Sequence, residues 1–485
     1  MIIKSDKDII QNYFEDTSNI RGGHADEVVI PESSSELASF MKEANAGRTP
    51  VTVSGGGTGT TGSRIPFGGA VVSMERLNRT IDVSAAKMSA TVEAGVLVEE
   101  LKDSAEGRGL FYTSHPTEKT AFIGGTIATN ASGARSFKYG PTRKYVKRLK
   151  MVMADGEEFE LSRGQIFLSK DKHEIKLPSG RVIDIPVPRY RMPNIKSSAG
   201  YFWKDCMDAI DLFVGQEGTL SVITEAELGL VTKPSGILSS FVFFKEEEDA
   251  ISFTEEVKKE NALDVLSIEY FDRGAVDTLR GRNKNVPAAA LAAIFFEQDV
   301  TRKDPDAVMD LWGELISRHN SSLDDTWVAM SEKDSGVFLD LRHSIPDAIN
   351  DRIKRSGFKK FSTDIAVPGN KFLEMVFYYR QAFNETGLSH TIFGHIGENH
   401  LHVNILPGSQ KEAEAAKKLS LEFAKKAVSL GGTIAAEHGI GKLKHEYLEV
   451  MYGREGMMDM ARIKKAFDPN CILGLDNIFP KELLA

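Results

Sequence analysis

Apolar and polar positions along the chain follow two rhythms. In the first, residues 36–47 (ELASFMKEANAG) have the spacing of a helix and close on Gly47, and the strand TPVTVSG follows at once. Two further strands, AVVSMERL and SATVEAGV, lead into a helix, VLVEELKDSAEGRG. This alternation predicts α+β or α/β packing. Residues 157–200 break the rhythm. They are rich in charge and proline (RVIDIPVPRYRMPNIKSS) and read as an excursion or long loop. From residue 236 a second rhythm begins, with strands in ILSSFVFFK, DVLSIEYFD, AALAAIFFEQ and TWVAMS. Helical stretches, EEEDAISFTEEVKKE and DPDAVMDLWGELISRH, lie between some of them. That pattern predicts a separate domain, an antiparallel sheet covered by helices. No tandem repeat or low-complexity tract is present.

Composition narrows the classes. A chain of 485 residues with 41% hydrophobic content can bury a substantial core, and its length predicts about two to four domains. The net charge of −9 argues against a general phosphate-backbone binder, so no nucleic-acid partner is expected. The two cysteines, Cys206 and Cys471, are far apart, and no Cys-x-x-Cys occurs. The chain therefore cannot hold an iron–sulfur cluster or a four-cysteine zinc site by itself, and a reducing compartment is expected. The opening MIIKSDKDIIQNYFED lacks the layout of a signal peptide, and no apolar run has the length of a membrane span. These features predict a cytoplasmic protein without a transmembrane segment, leaving peripheral attachment to a membrane open.

Residues 54–64, SGGGTGTTGSR, carry five glycines between positions 55 and 62. After a strand, such a loop lets backbone N–H groups approach phosphate oxygens without hindrance from Cβ atoms. Gly57-Thr58-Gly59-Thr60-Thr61-Gly62 spells G-x-G-x-x-G, but the dinucleotide motif needs a helix to start in the loop. Here RIPFGG intervenes and a strand follows, which excludes that reading. The P-loop spacing also matches, yet Ser63-Arg64 stands where Lys-Ser/Thr is required. A second stretch, GGTIATNASG at 124–133, is made of small residues that admit a flat ligand and supply hydroxyl and amide groups. A third, LFVGQEGTLSVITEAEL at 212–228, runs from a glycine turn into a strand.

In this order the three stretches resemble the flavoprotein superfamily of vanillyl-alcohol oxidase and p-cresol methylhydroxylase, and within it the D-lactate, glycolate and D-2-hydroxyglutarate dehydrogenase branch. The resemblance runs from about residue 25 to 480. It implies an α+β chain with a two-part FAD-binding domain of that type and a cap domain of antiparallel sheet and helices. It also implies FAD contacts from Gly55, Gly56, Gly57, Thr58, Gly59 and Thr60, from Gly124, Gly125, Thr129, Asn130 and Gly133, and from Glu217 and Gly218. The expected layout is an N-terminal helical segment over 1–19, an FAD-binding domain over 20–232, a substrate or cap domain over 233–450 and a returning segment over 451–485. The stretch at 157–200 looks longer than is usual for the family. No cysteine or histidine stands where covalent flavin attachment can be assigned, so the FAD is expected to be noncovalent.

Residues 393–406, FGHIGENHLHVNIL, place three histidines within eight positions. With Glu398-Asn399 as the tip of a two-residue hairpin, His395 is expected to pair with His402. Their imidazoles then share a face and can converge on one metal ion. Asn404 lies on that face, as does His400 nearer the tip. Further on, GGTIAAEHGIGK holds Glu437 and His438 side by side, and two histidines with a glutamate make a divalent-metal set with open positions. The family resemblance implies that His395, His402 and Glu437 hold a divalent metal (zinc, manganese or iron). It further implies that His438 is the catalytic base and Asn404 a substrate contact. Arg342, in DLRHSIPDAIN, is the candidate for gripping the substrate carboxylate.

The implied reaction is oxidation of a small 2-hydroxy acid, with hydride passing to flavin and the proton to His438. Electrons then go to an external acceptor, whether a quinone, a cytochrome, an electron-transfer flavoprotein or an iron–sulfur subunit. A homodimer is left open. Two positions depart from the family. Ser362-Thr363 precedes Asp364 where some 2-hydroxyglutarate enzymes carry a lysine, which favours a short substrate such as D-lactate. Gly474-Leu475-Asp476 replaces the usual Asn-Pro-Gly. The competing readings are a flavin transferase like alkyl-dihydroxyacetone-phosphate synthase, a 2-hydroxyacid oxidase using oxygen, and a non-catalytic FAD-binding subunit. Glu437 stands where the synthases carry a histidine cluster, and the full set of Arg342, His395, His402, Glu437 and His438 speaks against the last.

Overall fold

The computed structural model describes residues 1–114, 118–301 and 303–485. Contacts divide the chain into two units, one of residues 1–133, 141–233 and 435–485, the other of 134–140 and 234–434. The later division therefore falls at 434/435 rather than at 450, and residues 134–140 group with the second unit. The N-terminal segment is not wholly helical. It begins with the strand Ile2–Lys4, followed by one helical turn, Lys7–Ile10, and a 3-10 turn, Gln11–Phe14.

In the first unit, Glu27–Ile30, Ala70–Ser73 and Val51–Ser54 form a parallel sheet, and Ile2–Lys4 joins its edge antiparallel. Val28, Val29, Val71 and Val72 are all buried, the continuous apolar run that a strand covered on both faces requires. Helix Ser34–Gly47 is capped by Ser33, whose hydroxyl accepts the Glu36 N–H at 3.2 Å. It runs through Gly47, and the left-handed residue that ends it is Arg48, with Thr49 N–H closing on the Ala44 carbonyl at 2.8 Å. A second, antiparallel sheet has the order Thr80–Ser84, Ser89–Glu93, Val222–Gly229, Val146–Val152, Glu158–Ser162.

The stretch at 157–200 is only partly loop. Glu158–Ser162 is a sheet strand, and Glu174–Lys176 pairs with Val182–Asp184. In Glu158–Ser162, Phe159 and Leu161 point inward between exposed Glu158 and Glu160, a period-2 pattern hidden by the local charge. Thr80–Ser84 escaped the sequence reading because Ile81 is half exposed and the strand has little apolar content.

The second unit is built on an eight-stranded sheet in which every pairing is antiparallel. Its strands include Trp327–Ala329, Ile237–Phe244, Ala292–Asp299, Val265–Phe271, His390–Gly394 and His400–Ile405. Helices cover both faces, so alternate side chains of one strand enter different cores. Val242 and Phe244 pack with helices Glu247–Val257, Pro305–Arg318, Phe372–Thr386 and Gln410–Ser429. Phe241 and Phe243 pack with helices Arg273–Arg282 and Glu332–Ser356. That division explains why ILSSFVFF reads as continuously apolar. No helix among the described residues is long and apolar enough to cross a membrane.

Candidate active site

In the first unit the glycine loop leaves strand Val51–Ser54 and returns to the sheet at Ala70–Ser73, with no helix between them. A Cβ on Gly56 would stand 2.5 Å from the Thr120 carbonyl oxygen, so only glycine fits there. Arg64 braces the loop, donating to the Gly55 carbonyl at 3.2 Å and the Asn12 carbonyl at 3.1 Å. Burial lowers the pKa of its guanidinium. Gly55, Gly56, Arg64, Leu97, Thr120 and Phe122 help to line a cavity of about 440 Å³, within the size range of small-molecule sites. Gly57, Thr58, Gly59 and Thr60 continue the same loop.

Gly124 and Gly125 lie in the short helix Ile123–Ala128, and Thr129 caps it by donating to the Gly125 carbonyl at 3.0 Å. Asn130 is buried, and its side-chain oxygen accepts the Arg143 N–H at 3.0 Å. Gly133 ends this part of the unit. Glu217 and Gly218 both have left-handed backbone and form the turn before Val222–Gly229. The Glu217 carboxylate accepts from Ser63 Oγ at 2.7 Å and from the N–H groups of Ile440 and Gly441 at 2.8 and 2.7 Å. Burial raises its pKa against the pull of these donors. Asn477 adds to the tie, donating to the carbonyls of Ser63 and Glu217 at 2.9 Å each. Thus the C-terminal GLDNIF segment, where the family pattern is broken, still locks the glycine loop to the Glu217 turn.

Glu437 and His438 are also in this unit. Glu437 is buried and forms an ion pair with Lys196, while Ser132 donates to the same oxygen, Oε1, at 2.9 Å. The His438 carbonyl accepts a long hydrogen bond, 3.4 Å, from Thr61. Lys196 comes from the stretch read as an excursion, so the sequence analysis missed it. A lysine two residues ahead of Ser198, in a run ending Ser-Ser-Ala-Gly-Tyr, gave no periodic signal.

In the second unit the expected two-residue hairpin does not form. His390–Gly394 pairs with His400–Ile405 so that Phe393, not His395, faces His402. Ile396–Glu398 makes a 3-10 turn ending at left-handed Asn399, and His395 stands at the head of that turn, outside the ladder. Gly394, with φ +131°, turns the chain out of the strand, and a Cβ there would come within 2.9 Å of the His402 ring. The imidazoles converge all the same. Ring centroids lie 5.5 Å apart for His395 and His402, 5.3 Å for His395 and His400, and 4.5 Å for His400 and His402. One ring nitrogen from each of the three lies within 4.8 Å of the others.

Two of these rings are oriented from behind. His395 Nδ1 is 2.5 Å from Glu269 Oε1, and His402 Nδ1 is 3.4 Å from the Thr363 carbonyl. With Nδ1 as the donor, each contact sets the orientation of its ring, as an outer partner does for a metal-bound histidine. Glu269 is buried on strand Val265–Phe271, and Oε2 accepts from Arg342 Nε at 3.0 Å and Nη2 at 2.6 Å. Burial by itself raises the Glu269 carboxyl, but the charges of Arg342 and His395 prevail and hold it down to about 2. Arg342 lies in helix Glu332–Ser356, where Pro346 cannot donate a backbone bond to the Arg342 carbonyl. Its Nε and Nη2 are both engaged with Glu269. Asn404 pairs with Thr391 in the ladder, and its side-chain oxygen accepts from Ser362 Oγ at 3.0 Å. Glu269 lay unnoticed in an apolar strand, because nothing local marks a buried carboxylate that serves residues 73 and 126 positions away.

Residues 25–162 match the FAD binding domain family, and residues 233–475 match the C-terminal domain of the FAD linked oxidases. The D-lactate dehydrogenase of Archaeoglobus fulgidus is 30% identical over 94% of this chain and 91% of its own length. That of Anaerostipes hadrus is 28% identical over 96% and 92%, and glycolate oxidase subunit GlcD of Bacillus subtilis is 28% identical over 94% and 89%. Among solved structures, 4-ethylphenol oxidase from Gulosibacter chungangensis shares the fold, with a TM-score of 0.70 at 16% identity over 99% of this chain and 95% of that one. Alkyldihydroxyacetonephosphate synthase shares it too, with a TM-score of 0.66 at 15% identity over 97% and 82%. With an FAD-binding domain ahead of an oxidase C-terminal domain, this chain belongs to the FAD-linked oxidases, in the D-lactate, glycolate and D-2-hydroxyglutarate dehydrogenase branch of the vanillyl-alcohol oxidase superfamily.

Proposed function

We propose that this chain oxidises a small D-2-hydroxy acid, of D-lactate size, to the 2-oxo acid, with noncovalently bound FAD as the oxidant. The observation that carries this reading is the pair His395 and His402, whose Nδ1 atoms lie against Glu269 and the Thr363 carbonyl and whose rings each bring a nitrogen into one compact group of possible metal ligands. The names of the relatives agree with it. FAD supplies hydride acceptance. Gly55, Gly56, Gly57, Thr58, Gly59 and Thr60 are proposed to hold it, with Gly124, Gly125, Thr129, Asn130, Gly133, Glu217 and Gly218. Gly56→Ala is expected to lower flavin retention sharply while leaving a folded protein, as read from the ratio of flavin to protein absorbance after gel filtration.

His395, His402 and Glu437 are proposed as ligands of a divalent cation, a donor set of imidazole and carboxylate that suits zinc, iron or manganese. Such a cation lowers the pKa of a hydroxyl. Lys196 and Ser132 fix the Glu437 carboxylate. His438 takes the hydroxyl proton, Asn404 donates to the substrate, and Arg342 grips the substrate carboxylate. With Ser362 bonded to Asn404, no cation stands at that position for a second carboxylate, hence the short substrate. An external acceptor takes the electrons onward.

The test is anaerobic mixing with a panel of D- and L-2-hydroxy acids while flavin absorbance is followed. D-lactate should bleach the flavin, L-lactate should not, and chelator treatment should slow the bleaching. A panel in which no 2-hydroxy acid bleaches the flavin would end this reading. A much higher kcat/KM for D-2-hydroxyglutarate than for D-lactate would end the short-substrate part alone.

A further inference from the structure

We propose that His400 is itself a metal ligand, so that the second unit presents three imidazoles, not two, to the cation. The inference rests on the metal-assisted reading above and deepens it. His400 is 0% exposed, yet neither Nδ1 nor Nε2 has a hydrogen-bond partner among the described residues. Its Nε2 lies 3.0 Å from Asp364 Oδ1 without the alignment of a hydrogen bond. A buried imidazole whose nitrogens make no hydrogen bond is unfavourable, and a cation bound to it supplies the missing partner. One nitrogen of His400 lies within 4.8 Å of one from His395 and one from His402, near enough for small side-chain adjustments to bring all three onto a single ion.

The fold explains how the residue arrives there. Strand His400–Ile405 pairs on one side with His390–Gly394 and on the other with Phe361–Ser362 and Ile365–Ala366. His400 opposes Ala366, so the Ser362–Ile365 connection carries Asp364 alongside it. His400 and His402, two residues apart on one strand, share a face. His395 reaches the same place from the 3-10 turn. Asp364 also offers an oxygen within 4.8 Å of a His402 nitrogen, so a carboxylate stands beside the imidazoles. The third imidazole changes which metal is preferred. Nitrogen-rich sites follow the order in which manganese binds weakest among the first-row divalent ions, so zinc should displace manganese from this site.

The first experiment uses the unaltered protein, stripped by chelator and loaded with one equivalent of Cu²⁺. Pulsed electron paramagnetic resonance then counts the coordinated imidazoles. Three are expected; two would overturn the assignment of His400 while leaving a metal site in place. Failure to bind copper or cobalt at all would overturn this inference together with the metal-assisted reading. The second experiment compares Co²⁺ affinity and visible ligand-field absorption in the wild type, His400→Asn and His402→Asn. Loss of a ligand should weaken binding by more than the roughly 10–100-fold typical of losing a supporting partner, with a changed cobalt spectrum. An unchanged affinity and spectrum in His400→Asn would overturn the assignment of His400 as a ligand. Should His400→Asn fail to fold, the copper count on the unaltered protein still decides.

Discussion

Glu269→Leu should destabilise the second unit by roughly 3–5 kcal/mol, the usual cost of removing one member of a buried ion pair. The Glu269 side chain is 1% exposed and that of Arg342 14%. The leucine would fill the volume but leave the guanidinium facing an apolar strand. It would also leave His395 Nδ1 without its acceptor. Urea unfolding followed by tryptophan fluorescence in a Trp203→Phe background reports on this unit, since Trp312 and Trp327 lie in it and Trp203 lies in the first. Glu269→Gln keeps an acceptor and should recover part of the loss. The double variant Glu269→Leu, Arg342→Leu removes both charges and should recover more stability than metal affinity, because His395 stays unoriented. If the single leucine variant loses less than about 1 kcal/mol, the pair is no more than a surface-type ion pair, and the proposed bracing of His395 has no energetic basis.

The comparison of sequence with structure follows a physical dividing line. Strands of the second unit were legible because helices cover both faces of the sheet, so Ile237–Phe244 and Val265–Phe271 are apolar at nearly every position. The glycine loop was legible because positions such as Gly56 tolerate no Cβ. By contrast, Glu158–Ser162 alternates with charge and sat in a proline-rich neighbourhood, which masked its period. Hairpin register was the least legible feature. A two-residue tip and a 3-10 turn differ by one bend at Gly394, which no local composition forecasts, and the difference moves His395 out of the ladder.

The site divides in the same way. Histidines, glycines and the Glu437-His438 pair announce themselves by type and spacing. Their supporting groups do not. Glu269, Thr363, Ser132 and Lys196 are ordinary residues in ordinary contexts, and each acts on a partner brought near only by folding. Asp364 and His400 are intermediate: both belong to motifs read from the sequence, but their contact depends on the pairing of Ile365–Ala366 with the histidine strand.

Changing His438 to alanine should slow reduction of the flavin by a D-2-hydroxy acid by about 10²–10⁴-fold, the range for loss of a positioned general base. The effect should fall on the chemical step. FAD content should match the wild type, because Glu217, not His438, ties the glycine loop to the segment at 440–441. The His438 carbonyl accepts from Thr61 in that loop, and the alanine retains it. In the wild type the rate of reduction should rise with pH as a base loses its proton, and the variant should lack that limb while keeping any dependence due to substrate binding. Stopped-flow measurement of flavin bleaching across pH separates the two, since binding appears in the substrate concentration dependence and proton removal in the limiting rate. A loss of less than about tenfold, or a pH limb that survives the substitution, would move the base to another group. The metal ligands and the FAD-holding loop would then still stand, but the hydroxyl proton would need a different acceptor.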